Sequence, residues 1–142
     1  MSIKSIVLAA SATALLMSAP AAQAKSKPHV FSVAEFMEKE ENREALGGFP
    51  IVWGKSASGT QIGDVSTGGR PANGFHKKIQ SSCERALLNS LIAMRDLAQS
   101  KGGTKITGVH SSMGTDFNPA TEYVCFKNKF VAKTPLNGTA SK

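Results

Sequence analysis

The stretch from Ser81 to Gly103, SSCERALLNSLIAMRDLAQSKGG, constrains this chain more than any other. Cys83, Leu87, Ser90, Leu91, Met94, Leu97 and Ala98 recur at the spacing that lines one face of a helix, with Glu84, Arg85, Asn89, Asp96 and Gln99 on the other. Ser81 and Glu84 stand at the spacing of a capping box, and Gly102 supplies a left-handed stop. The pattern predicts one long helix with a buried face. Each large apolar side chain on that face contributes about 1.5 to 3 kcal/mol when buried, so the rest of the domain must build a surface to cover it.

The opening segment, MSIKSIVLAASATALLMSAPAAQA, has one charge at Lys4, an apolar run from Ile6 to Met17 and the small-residue pattern Ala22-Gln23-Ala24. That is the layout of a secretory signal peptide cleaved near Ala24. The run is too short to span a bilayer, no later stretch reaches the roughly 20 apolar residues a span requires, and no cysteine sits at the cleavage point to carry a lipid anchor. The expected product is periplasmic or secreted, with residues 25–133 as one domain and 134–142 as a disordered tail. The full chain carries a formal net charge of +7. Such a surplus keeps an exported protein soluble, and it also suits an anionic envelope component as partner. No nucleic-acid motif or aromatic stacking platform is visible in the sequence, so no nucleic-acid partner is expected.

Cys83 and Cys125 are the only cysteines. An even number in an oxidising compartment predicts a disulfide, worth about 4 kcal/mol for a loop of this length in the chain-entropy view. A redox Cys-x-x-Cys is absent, and neither a catalytic thiol nor a metal site has its partners nearby.

Along the chain, Lys25 to His29 reads as a polar, mobile arm. Ser32 and Glu35 form a second capping box, which starts a peripheral helix that runs through a charged middle to Gly47 and Gly48. Phe49 to Gly54 reads as a strand that places Trp53 in or at the edge of the core. Lys55 to Lys78 is a long glycine-rich connection with a weak strand signal from Thr60 to Val65. Beyond the long helix, Lys105 to Met113 reads as a strand with a bulge at Gly108. Glu122 to Phe126 and Phe130 to Lys133 read as two strands joined by the tight Lys127-Asn128-Lys129 turn. The predicted class is α+β: a small antiparallel sheet of three to four strands, the long helix on one face and a peripheral helix beside it.

Trp53-Gly54 closes an aromatic strand, Cys83-Glu-x-Ala86 opens the helix, Ala98-x-x-x-Gly102-Gly103 ends it, and Tyr123-x-Cys125 lies in a strand. In that order the chain resembles a group of small exported bacterial proteins labelled excinuclease ATPase subunit. More distantly it is similar to the domain of the outer-membrane stress-sensing lipoprotein of the Rcs pathway. The resemblance implies a disulfide-stapled helix on a sheet and an envelope location, and it implies no activity. The residues themselves argue against nucleotide binding. Gly54-Lys55-Ser56 ends like a phosphate-binding loop, but Phe49 stands where the first glycine belongs, and after GDVSTG the pair Gly69-Arg70 replaces the lysine and the hydroxyl residue.

No catalytic residue, metal site or cofactor is assigned. His29, His76 and His110 stand in separate segments, and the carboxylates cluster on the charged helix, where solvation explains them. Three regions remain as candidates for binding. Lys77 and Lys78, just before Ser81 and Ser82, place cations beside a helix start and suit an anion. Leu88 and Ile92 lie four apart on the polar helix face beside Arg85 and Arg95, and form either a partner surface or the seat of a covering segment. The glycine-rich stretch 59–74 could hold a small molecule or a metal. The expected function is non-enzymatic binding of a protein or anionic envelope component, with the small-molecule or metal-binding module as the alternative.

Overall fold

Alternating apolar residues in the second half of the chain and the 3.6-residue stripe before them dictate a helix laid across strands, and a computed structural model shows how that is done. It describes residues 26–142; the predicted signal peptide lies outside them. In chain order the elements are β1 (Lys27–Ser32), α1 (Val33–Glu38), α2 (Glu40–Ala45), β2 (Ile51–Trp53), β3 (Gln61–Asp64), β4 (Ala72–Asn73), α3 (Ile79–Ser100), β5 (Lys105–Ser111), β6 (Glu122–Lys127), β7 (Val131–Lys133) and β8 (Leu136–Ser141). The α+β class and the long helix are as predicted. The strands form two four-stranded sheets, ordered β1-β6-β7-β4 and β2-β5-β8-β3. All pairs are antiparallel except β2 with β5, which run parallel.

α3 lies across both sheets and touches β4, β6 and β7 of one and β5 and β8 of the other. Its inward stripe of Cys83, Ala86, Leu87, Leu91, Met94 and Ala98 is fully buried against Ile106, Val109, Tyr123, Ala132, Leu136 and Ala140. β8 passes so close that a Cβ on Gly138 would stand 2.7 Å from the Met94 side chain, so this position has to be glycine or force the methionine aside. The Cys83–Cys125 disulfide, with Cα atoms 5.7 Å apart, pins the helix to β6. The Ser111 hydroxyl accepts from the Val124 amide at 2.8 Å and joins the end of β5 in one sheet to β6 in the other.

Several expectations are corrected. Residues 134–142 are not a tail: β8 pairs with both β5 and β3, and Leu136, Ala140 and Ser141 are buried. Their small, polar sequence hides a central strand because α3 leaves no room there for larger side chains. The arm before Ser32 is a strand as well, with Lys27 paired to Lys127 and His29 to Cys125. The peripheral helix is two short helices broken at Lys39, whose backbone is extended (φ −73°, ψ 117°). The capping box at Ser81 does not form. α3 begins earlier, with Lys78 as its cap residue, and the Ser81 and Ser82 hydroxyls donate back to the Lys78 carbonyl at 3.1 and 2.9 Å, a habit of serines in a helical first turn.

Other local expectations hold. Ser32 accepts from the Glu35 amide at 3.3 Å. At the end of α3, the Gly102 and Gly103 amides donate to Gln99 and Ala98 at 2.9 and 2.8 Å, closing a Schellman motif. Gly108 takes φ +63° where β5 shifts register against β8.

Candidate functional site

The three candidate regions differ in what they leave exposed. Leu88 is only 7% exposed. α2 lies over it and encloses a hollow of about 290 Å³ whose lining includes Glu41, Asn42, Arg85 and Leu88. Arg95 donates to the Ala45 carbonyl at 2.9 Å, at the end of α2, and to Asp96 at 3.1 Å. Lys39 meets Glu84 at 2.6 Å, and that hydrogen bond holds its ammonium above the ordinary lysine range. The expected patch of Leu88, Ile92, Arg85 and Arg95 is therefore broken up. Leu88 is covered, Arg95 is engaged, Ile92 is half-buried in a separate hollow beside Arg70 and Pro71, and Arg85 alone is exposed. The cover is the peripheral helix, the covering segment that the sequence reading allowed for.

The glycine-rich connection is ordered by pairing. β3 joins β8, Thr67 bridges Leu136, and β4 joins β7. The Arg70 amide donates to Ser90 Oγ at 3.2 Å, so the segment straps one flank of α3. Beside it, Lys55, Asp64, Ser66, His110, Asn137 and Thr139 line a polar hollow of about 380 Å³. In that hollow His110 Nδ1 is 2.8 Å from its own chain's Gly108 carbonyl. Among the described residues no group of three His, Cys, Asp or Glu side chains is placed to hold a metal ion.

The third region stands out. It is a knuckle built from the β4–α3 link and the β6–β7 turn. In each, an asparagine two residues before a phenylalanine folds the chain: Asn73 Oδ1 accepts from the Phe75 amide at 3.0 Å, and Asn128 Oδ1 from the Phe130 amide at 2.8 Å. Asn128 also takes the Val131 amide at 2.9 Å, and the Gly74 amide donates to the Phe130 carbonyl at 2.9 Å, which locks one turn against the other. The two rings stack with centroids 5.7 Å apart and planes at 16°. The His76 ring, on a backbone at φ +55°, packs against Phe75 with a centroid distance of 4.0 Å, and Lys129 Nζ sits over the Phe130 ring at 5.7 Å. Phe75 is 43% and Phe130 56% exposed, although apolar side chains of this size are ordinarily buried.

No family model, curated protein or solved structure matches the chain.

The electrostatics of the knuckle follow from its neighbours. Lys77, Lys78 and Lys129 are exposed and Lys127 is half-buried. Among the described residues the salt bridges are Lys39–Glu84 and Arg95–Asp96, so none of these four lysines has a carboxylate within 4.0 Å. Lys127 Nζ donates to the Asn128 carbonyl at 3.1 Å. Of the predicted anion residues, Lys77 and Lys78 belong to this cluster. Ser81 and Ser82 do not: their hydroxyls are engaged with Lys78, and Ser82 is buried.

Sequence reasoning missed Lys127, Lys129, Phe75 and Phe130 as a group. One signal was available. Asn73-Gly-Phe75 and Asn128-Lys-Phe130 repeat the same Asn-x-Phe pattern, each next to lysines. What the arrangement offers chemically is a half-exposed pair of stacked rings with a histidine ring against one and a lysine over the other.

Proposed function

We propose that this is an exported, non-enzymatic binding protein that holds an anionic component of the cell envelope on the knuckle of Phe75, Phe130, Lys77, Lys78, Lys127 and Lys129. The observation that carries this reading is the exposed, stacked phenylalanine pair, with Lys129 over one ring and Lys77, Lys78 and Lys127 on the same two segments, all four lysines without an acidic partner. Unneutralised cations close together raise the local potential and attract polyanions, and a rigid apolar centre adds contact area at small entropic cost. The buried Cys83–Cys125 disulfide supports an oxidising compartment, and the leader at residues 1–24 supports export to the periplasm.

Dextran sulfate serves as a generic polyanion in a test by amide NMR on the leader-free, oxidised protein. The expected shifts map to residues 74–79 and 127–131 and vanish in Lys77→Gln/Lys78→Gln/Lys127→Gln/Lys129→Gln. Shifts confined instead to the hollow of Lys55, Asp64, His110 and Asn137 would replace this reading with the small-molecule module beside the glycine-rich stretch.

A further inference from the structure

Which anion the knuckle takes can be narrowed from the way its rings are used. A nucleic-acid base or a sugar ring binds an aromatic side chain through its flat face. In the knuckle part of those faces is already taken. Phe75 is packed by Phe130 at 5.7 Å and by His76 at 4.0 Å, and Lys129 lies over Phe130. Both rings remain about half exposed, in turns fixed by the two asparagines. Ile79, 43% exposed at the first position of α3, directly follows Lys77 and Lys78 in the chain. The other large exposed apolar side chains, such as Val52, Ile62 and Met113, lie elsewhere in the chain. Half-exposed rings with lysines on the same segments are matched to a surface with hydrocarbon beneath and negative charge on top. Amphipathic side chains partition into such an interface, and each lysine adds attraction to its anionic headgroups.

We infer that the knuckle is a peripheral docking site for an anionic phospholipid bilayer, with Phe75, Phe130 and Ile79 entering the interface and Lys77, Lys78, Lys127 and Lys129 resting among the headgroup phosphates. This inference rests on the anion-binding reading above and names its occupant. No helix of the described residues is long and apolar enough to cross a membrane, so the attachment is to the surface and reversible.

Co-sedimentation of the leader-free, oxidised protein with phosphatidylcholine vesicles, with and without phosphatidylglycerol, tests it. The protein is expected to pellet only when phosphatidylglycerol is present. Each of Lys77→Gln, Lys78→Gln and Lys129→Gln should weaken partitioning about fivefold at low salt, the weight of one lysine at an anionic surface. Phe75→Ser/Phe130→Ser should weaken it at least about tenfold while leaving the thermal midpoint in place. If the double serine variant pellets like the parent, the rings do not enter the interface and the inference is overturned, although the anion-binding reading survives. The inference falls in the same way if the parent binds dextran sulfate but ignores phosphatidylglycerol vesicles. Loss of both interactions in the parent overturns both.

Discussion

Two places on this surface combine apolar side chains with cations, and they end differently. Between α2 and α3, Leu88 lies beneath a short helix, Arg95 caps that helix at Ala45, and Lys39 closes the gap by pairing with Glu84. Leu88, Arg95 and Lys39 are each answered by another group of the same chain, and only Arg85 stays in water. At the knuckle the apolar groups are as large and the cations as numerous, but no carboxylate and no covering segment arrives. The difference teaches what makes a patch available for binding. Composition is similar in both; what separates them is whether a neighbouring element brings acidic groups and backbone carbonyls close enough to satisfy the cations.

Both regions hang from the same scaffold, so the largest test of the comparison is to loosen it. Replacing Cys83 and Cys125 by Ala should lower stability by about 4 kcal/mol in denaturant titrations, because the bridge closes a loop of sequence separation 42 and joins α3 to β6, which leads into the knuckle turn. Stability unchanged by the double substitution would mean that packing alone holds α3 in place. Next in size, Leu88→Asp should cost about 3 kcal/mol, since it buries a carboxylate beneath α2. Ser at both Phe75 and Phe130 should shift stability by no more than about 0.5 kcal/mol. A harmless Leu88→Asp would show that the α2 cover opens freely and would erase the contrast between the two regions.

A smaller effect than the two losses above concerns how dry the covered side is. Tyr123, the only tyrosine, is buried beside Phe31 and Phe36; burial pushes its phenol up, and Glu84 and Glu35 push it further in the same direction. Its folded-state value therefore lies above the unfolded value near 10. Its contribution is complete below about pH 10 and falls as pH rises, because the unfolded chain releases the phenolic proton first. Denaturation curves should show about 1 kcal/mol lost by roughly pH 11 relative to Tyr123→Phe. Parallel curves for the two proteins would mean that water reaches the phenol.

Legibility followed the range of the interaction. The stripe of α3, its Gly102-Gly103 stop, the Ser32 cap, the Gly108 bulge and the 127–129 turn depend on residues a few positions apart, and all were readable. The serines at 81 and 82 misled because a cap and a first-turn back-bond use the same residue types, and only the partner of Glu84, on α1–α2, decides between them. β8 was unreadable because LNGTAS lacks strand-like bulk; its place in the sheet comes from the space that Met94 leaves at Gly138. The binding candidates divided in the same way. Lys77 and Lys78 were visible beside a helix start, whereas Lys127, Lys129 and Phe130 joined them only when β4 paired with β7.

By itself, then, the sequence determined the class of the fold, its organising helix and the pairing of its two cysteines, since periodicity, caps and an even cysteine count are local or compositional properties. The tertiary structure alone decided which apolar and cationic residues stay in water. Burying Leu88 and baring Phe75 and Phe130 depend on segments distant in sequence meeting across the two sheets, and no window of residues along the chain contains that information.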